Sequence, residues 1–199
     1  LGAIGLPVAQ ALDDGIEGLN LVAVSARDKE KASLKLSGMK SPPALVSLDE
    51  LSARADIVIE SIPAASFAEV AEPAIENGRV FVPLSVGALL SRNDLIERAR
   101  ATGAKIVVPT GALLGLDAVR AAAEGRVDSV RLVTRKPPRG LKGAPHIVAQ
   151  GIDVDAITEL PTLVFKGNAN HAARGFPANI NVGAALSLVG MIVLIVLAS

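Results

Sequence analysis

An α/β fold is predicted, with a doubly wound parallel sheet over residues 1–110 and a mixed α/β domain over residues 111–199. Three observations predict it. A glycine pair, Gly2 and Gly5, opens a helical pattern. Strand-like and helix-like segments then alternate through the first 110 residues. After Thr110 that rhythm gives way to an Ala-rich helix, an alternating strand and a loop rich in Pro and Gly.

Each element has its own warrant. Ile4 to Asp14 suits a helix, with Ile4, Val8, Ala11 and Leu12 on one face. Leu19 to Ser25 reads as a buried strand, and Asp28 to Leu36 as a helix that Asp28 caps. Ser47 to Ala53 carries a capping box, because Glu50 stands three residues after Ser47. Ile57 to Ile62 is an apolar strand ending at Pro63, and Ser66 to Asn77 is helical, with Pro73 marking a kink or a break. Val80 to Val86 and Lys105 to Pro109 are strands, with a helix from Ser91 to Thr102 between them. Leu116 to Glu124 is a helix that Gly125 ends. Ser129 to Thr134 alternates apolar and polar residues, as a half-exposed antiparallel strand does. Lys136 to Pro145 reads as a loop, and Leu163 to Lys166 as a short strand before an Asn/Ala segment and a Phe-Pro-Ala-Asn turn.

Composition removes several function classes. Apolar residues make up 50% of the 199-residue chain, enough for a sizeable core. Twenty basic residues balance twenty acidic ones, and no basic stripe interleaves with aromatics, so no nucleic-acid partner is expected. The chain has no Cys, which excludes disulfides, thiolate catalysis and Cys-based zinc sites and fits a reducing cytoplasm. No metal is expected. No charged segment precedes an apolar run at the start, so no signal peptide is read there. The opening on Leu inside a glycine loop reads as a cut, which places the first glycine and its strand ahead of Leu1. From Val182 to Ser199 the chain carries no charge, a length that just meets the threshold for a membrane span. Ser187 and Gly190 interrupt that run and no basic flank borders it, so a buried helix followed by an exposed apolar tail is expected instead.

Gly2-Ala3-Ile4-Gly5 is the latter part of a G-x-G-x-x-G fingerprint. Its middle glycine lets backbone approach a pyrophosphate, and its last lets the helix pack close to its strand. The helix N-terminus adds N–H groups and the positive end of its dipole. The sheet is therefore expected to be Rossmann-type, with Gly2, Ala3, Ile4 and Gly5 at a dinucleotide cofactor. Such a fingerprint places an acidic residue at the end of the second strand, against the ribose. Ser25-Ala26-Arg27-Asp28 stands there instead. Arg27 either faces a 2′-phosphate or is a solvated charge beside the helix, so NADP stays open alongside NAD. Ser61-Ile62-Pro63 and Ser85-Val86-Gly87-Ala88 follow strands at the rim where open α/β sheets bind ligands, and turn formation accounts for both equally well. Asn179 and Asn181 bracket Ile180 before a helix, where Asn is a good cap. An amide there can also donate to and accept from a carboxamide. Arg135, Lys136, Lys142 and Arg174 are the candidate cations for a carboxylate ligand. Arg135-Lys136-Pro137-Pro138 stands out because the prolines stiffen the segment that presents the charges, although a charged loop is also what solvent favours.

Thr110-Gly111-Ala112-Leu113-Leu114-Gly115-Leu116-Asp117-Ala118 and Gly175-Phe176-Pro177-Ala178-Asn179-Ile180-Asn181-Val182 complete an ordered set. With Leu1-Gly2-Ala3-Ile4-Gly5 and Thr134-Arg135-Lys136-Pro137-Pro138, they resemble the L-aspartate dehydrogenase family of nicotinamide-dependent oxidoreductases. The resemblance runs from Leu1 to about Val189. It implies oxidation of L-aspartate to iminoaspartate with NAD or NADP, the product hydrolysing to oxaloacetate and ammonia and feeding NAD synthesis. It implies a backbone contact of Ala112 with the nicotinamide part and assigns Asn181 to the cofactor; Ser61 at the strand end and Arg27 are the further cofactor candidates, from their positions. L-Aspartate would meet Lys136 and Arg135, and a homodimer is expected. The family's catalytic His is expected beyond Ser199. His146 and His171 do not match it and read as ordinary surface residues, so no aspartate turnover is expected from residues 1–199. Two alternatives remain: a related dehydrogenase or reductase of another small acid, and an inactive cofactor-binding fragment.

Overall fold

The computed structural model describes residues 1–111, 113–177, 180–188 and 192–198. The chain divides into two compact units, Leu1–Leu84 with Asp94–Val107 and Ser85–Asn93 with Val108–Ser199.

Parallel pairing organises the first unit. Strand β1 (Ala23–Ser25) pairs with β2 (Ala44–Val46), and β4 (Val80–Pro83) lies between β3 (Ile57–Glu60) and β5 (Lys105–Ile106). Parallel neighbours need long connections. Helices α1 (Gly5–Gly15), α2 (Lys29–Leu36), α3 (Leu51–Arg54) and α4 (Phe67–Glu76) alternate with the strands. A short α5 (Val86–Leu89) belongs to the second unit, and α6 (Asn93–Thr102) returns the chain to the first.

Local chemistry sets these boundaries. The Asp28 carboxylate accepts the Lys31 N–H at 3.0 Å and starts α2, which holds its carboxyl below the usual range. Ser47 donates from both N and Oγ to Glu50 Oε2, at 3.0 and 2.8 Å, and this half of the capping box fixes the entry to α3. Helix α4 runs unbroken through Pro73, whose carbonyl accepts the Asn77 Nδ2–H at 2.9 Å. It buries Phe67, Val70, Ala71, Ala74 and Ile75, one stripe at helical spacing. The Phe67 ring meets Phe81 of β4 edge to face at 5.7 Å.

The inward face of α1 differs from the expected one. Gly5, Val8, Ala9 and Leu12 turn inward, while Ile4 is 56% exposed and Ala11 is exposed too. Ile4 is the N-cap, so its side chain leaves before the helical stripe begins. The expected long second strand also shrinks to Ala23–Ser25. Leu19 folds back onto Ile16 in a single bridge, and Val22 stays exposed. A groove of about 430 Å³ is lined by Val24 of β1, Ile57 and Ile59 of β3 and Gly5 of α1, with Val22 just before β1 and Ser61 just after β3. Strands β1 and β3 do not pair with each other.

The second unit contains α5, α7 (Leu116–Ala123), α8 (Pro145–Ala149), α9 (Ala169–Gly175) and α10 (Asn181–Ser187), with strands β6 (Val130–Lys136), β7 (Thr162–Asn168) and β8 (Ile192–Ala198). Burial alternates strictly along β6, as the sequence pattern requires. Its partner corrects the expectation of an antiparallel strand: β6 pairs in parallel with β8, Val130 opposite Ile192 through Lys136 opposite Ala198. Strand β7 pairs with the other edge of β8, antiparallel. The apolar run that was expected to form an exposed tail is therefore the middle strand of this sheet. Its Ile/Val-rich composition is that of a strand with neighbours on both sides. Among the described residues no helix is long and apolar enough to cross a membrane.

Two apolar clusters hold this unit. One joins Leu141, Ile147, Val154, Val164, Phe176 and Ile180, and the other gathers Val86, Leu116, Ala184, Ala185 and Leu186. Leu132 of β6 packs against both.

Candidate cofactor-binding residues

In the first unit the fingerprint residues meet the end of β3. Gly2 O accepts the Leu6 N–H at 3.1 Å, so the chain turns into α1 directly behind Gly2 and Ala3. No side chain caps α1 and its first turn holds no acidic residue, so nothing there offsets the positive end of its dipole. The two glycines differ in their surroundings. A Cβ on Gly5 would lie 2.8 Å from Ser61 Oγ, so glycine there lets α1 close onto the residue that follows β3. No protein atom lies within 4 Å of a Cβ built on Gly2, so packing within the chain places no demand for glycine there. That open approach to the backbone leaves room for a pyrophosphate. The residues present therefore fit a dinucleotide.

Glu60, which sequence patterning alone did not single out, supports this corner. It is 1% exposed, and its Oε1 accepts the Ile62 N–H at 2.8 Å while its carbonyl accepts from Leu84 N at 3.0 Å. The carboxylate thus holds the turn that carries Ser61. The available signal was the alternation of β3, which puts Glu60 on the buried face with Val58. Arg27 lies exposed in the bend between β1 and α2. Its neighbour Asp28 is engaged by the Lys31 N–H and by Lys31 Nζ at 3.0 Å.

In the second unit Asn181 opens α10 and its Oδ1 accepts the Gly87 N–H from α5 at 3.1 Å. The Ser85–Ala88 segment, expected as a strand end or turn, is the start of α5 and is tied to Asn181. Thr110 O accepts the Leu113 N–H at 3.1 Å across Gly111, whose φ of +58° suits glycine. Ala112 and Asn179 lie outside the described residues.

The substrate candidates are separated. Arg135 lies on the exposed face of β6 with Arg131 and Val133, whereas Lys136 lies on the half-buried face with Thr134 and Leu132. Adjacent strand residues point to opposite faces, so this strand does not bring both cations to one small acid. Lys142 pairs with Asp155, whose hydrogen bond and charge raise the Lys142 pKa. Arg174 is exposed in the last turn of α9.

His146 corrects the reading of an ordinary surface residue. It sits half-buried in α8, its ring 5.2 Å from Phe165 and 5.4 Å from Phe176, with Nε2 3.2 Å from Val164 O. Its ring fills a packed aromatic site. His171 is exposed, and its N–H bonds the α9 cap Asn168 at 2.9 Å.

Two family descriptions match the chain: the NAD-binding domain of homoserine dehydrogenase over residues 1–109, and the C-terminal part of aspartate dehydrogenase over residues 117–196. The L-aspartate dehydrogenase of Bradyrhizobium diazoefficiens is 51% identical over 191 residues, covering 96% of this chain and 68% of that protein. The chain belongs to the L-aspartate dehydrogenase family. A second member, L-aspartate dehydrogenase 3 of Bordetella bronchiseptica, is 48% identical over 96% of this chain and 70% of its own length. The crystal structure of aspartate dehydrogenase from Thermotoga maritima shares the fold at a TM-score of 0.65 and 23% identity, over 91% of this chain and 80% of that one.

Proposed function

We propose that this chain holds the cofactor and the acid substrate of an enzyme that oxidises L-aspartate to iminoaspartate. Iminoaspartate then hydrolyses to oxaloacetate and ammonia. The 51% identity to an L-aspartate dehydrogenase across 96% of the chain is the observation that carries this reading. Residues 1–110 are assigned to the dinucleotide and residues 111–199 to the substrate and a dimer surface. A bound nicotinamide would supply the acceptor for the hydride of the substrate Cα. The chain's own residues bind and orient: Gly2, Ala3, Ile4 and Gly5 at the pyrophosphate, Ser61 beside them, and Ala112 and Asn181 toward the nicotinamide. Lys136 is the substrate cation we favour, because its side chain lies on the face of β6 that packs toward the core. No catalytic base is assigned among the chain's residues, since the His146 ring is held by its aromatic neighbours.

Calorimetric titration with NADH, then with L-aspartate, L-glutamate and L-malate on the NADH-bound chain, tests this. Saturable NADH binding with aspartate favoured is expected. A preference for another acid would move the chain to a related dehydrogenase, and absence of NADH binding would remove the cofactor reading.

Arg27 bears on cofactor choice. It is exposed, the neighbouring carboxylate of Asp28 is engaged by Lys31, and the sequence puts a cation near the position where an acidic ribose partner is usual, which supports this reading. NADPH is expected to bind at least as well as NADH. Arg27→Ala is expected to weaken NADPH several-fold more than NADH, and an unchanged ratio in paired titrations would remove Arg27 from the site.

A further inference from the structure

The hydrogen bond from Gly87 N to Asn181 Oδ1 joins residues 94 positions apart, and two facts make it a constraint. A Cβ on Gly87 would lie 2.5 Å from Ile180 Cγ2. Ile180 is 1% exposed and packed in the cluster of Leu141, Phe176 and Val164, so it has little room to give. Gly87 has no positive φ, so backbone freedom is not what requires glycine. Close approach of α5 to the start of α10 requires it.

That approach decides how Asn181 presents itself. A backbone N–H only donates, so the amide atom facing Gly87 is the oxygen, and the amide nitrogen is directed away from it. We propose that Gly87 is a positioning residue that fixes the polarity of Asn181, so that Asn181 meets its ligand as an N–H donor. The group it recognises is then an oxygen: for a nicotinamide, the carboxamide oxygen and not the carboxamide NH2. The sequence alone allowed the Asn181 amide to serve both; the bond to Gly87 turns the oxygen toward α5 and leaves the two amide N–H groups for the ligand. The inference rests on the reading that Asn181 borders the nicotinamide.

The 3-acetylpyridine analogue of NADH keeps the carbonyl oxygen and lacks the NH2, which separates the two polarities. Asn181→Asp keeps an acceptor for Gly87 N–H and loses the donor. Its melting temperature is expected to be unchanged, while calorimetry shows NADH and the analogue both weakened by a similar factor, on the order of tenfold. Unchanged affinity for both in Asn181→Asp, with the unsubstituted chain binding the analogue several-fold more weakly than NADH, overturns the polarity and leaves the cofactor assignment standing. Unchanged affinity for both, with the unsubstituted chain binding the analogue as well as NADH, overturns the assignment of Asn181 and the inference with it. Gly87→Ala is expected to weaken both ligands, and adding Ile180→Ala, which removes the colliding methyl, to recover part of that loss. Simple addition of the two losses argues against positioning.

Discussion

Replacing Phe81 by Ala is expected to destabilise the first unit by about 3–5 kcal/mol, the range for deleting a buried aromatic side chain. Phe81 is completely buried in β4, the strand that pairs with β3 on one side and β5 on the other. Its ring is also the partner of Phe67, whose edge contact disappears with it. The neighbours are strand backbone and the packed face of α4, which can relax only in part, so the void stays. Phe81→Leu keeps most of the volume and should cost less than half as much. Urea unfolding followed by far-UV circular dichroism gives both values, and a loss below about 1 kcal/mol for the alanine variant would contradict the packing described.

Removing residues 191–199 is expected to unfold the second unit, a loss comparable with the whole stability of a domain, about 5–15 kcal/mol. Strands β6 and β7 are not paired with each other, and both their ladders run to β8. Without β8 the sheet has no centre, and Leu132 and Val164 lose the strand that separates and supports them. The shortened chain should therefore aggregate more than the full one, the opposite of what an exposed apolar tail requires. Size-exclusion profiles and amide exchange over residues 130–136 decide it. Retained protection there after truncation would overturn the central placement of β8.

The reason the apolar run was misjudged is physical. A continuous apolar stretch has no period, so helix, membrane span and doubly flanked strand all satisfy it, and only pairing partners distant in sequence choose between them. The same limit applies to β6, whose alternation was readable while its direction against β8 was not. Signals that act over a few residues fared better. The Asp28 cap and the Ser47–Glu50 contact appear where their side chains predicted them, as does the glycine pair at the start of α1, although α3 begins only at Leu51. Gly5 and Ser61 were both recognisable as candidates, but their meeting depends on how α1 packs on β3. Gly87 was visible only as part of a turn, because its necessity comes from Ile180, far away in the chain. Arg135 and Lys136 were grouped as charges presented by one proline-stiffened segment, but both lie in β6, and a strand divides adjacent residues between its faces.

The four phenylalanines, in a chain without Trp or Tyr, fall into two contacting pairs: Phe67 with Phe81 in the first unit, Phe165 with Phe176 in the second. The protein is thus nearly silent in ultraviolet fluorescence, and emission from a reduced nicotinamide would stand against a dark background. Fluorinated phenylalanine incorporated throughout would give four resonances, two from each unit, each shifted by the ring current of its mate. A single fluorine spectrum could then follow the melting of each half of the molecule separately, and show which half answers when a cofactor is added.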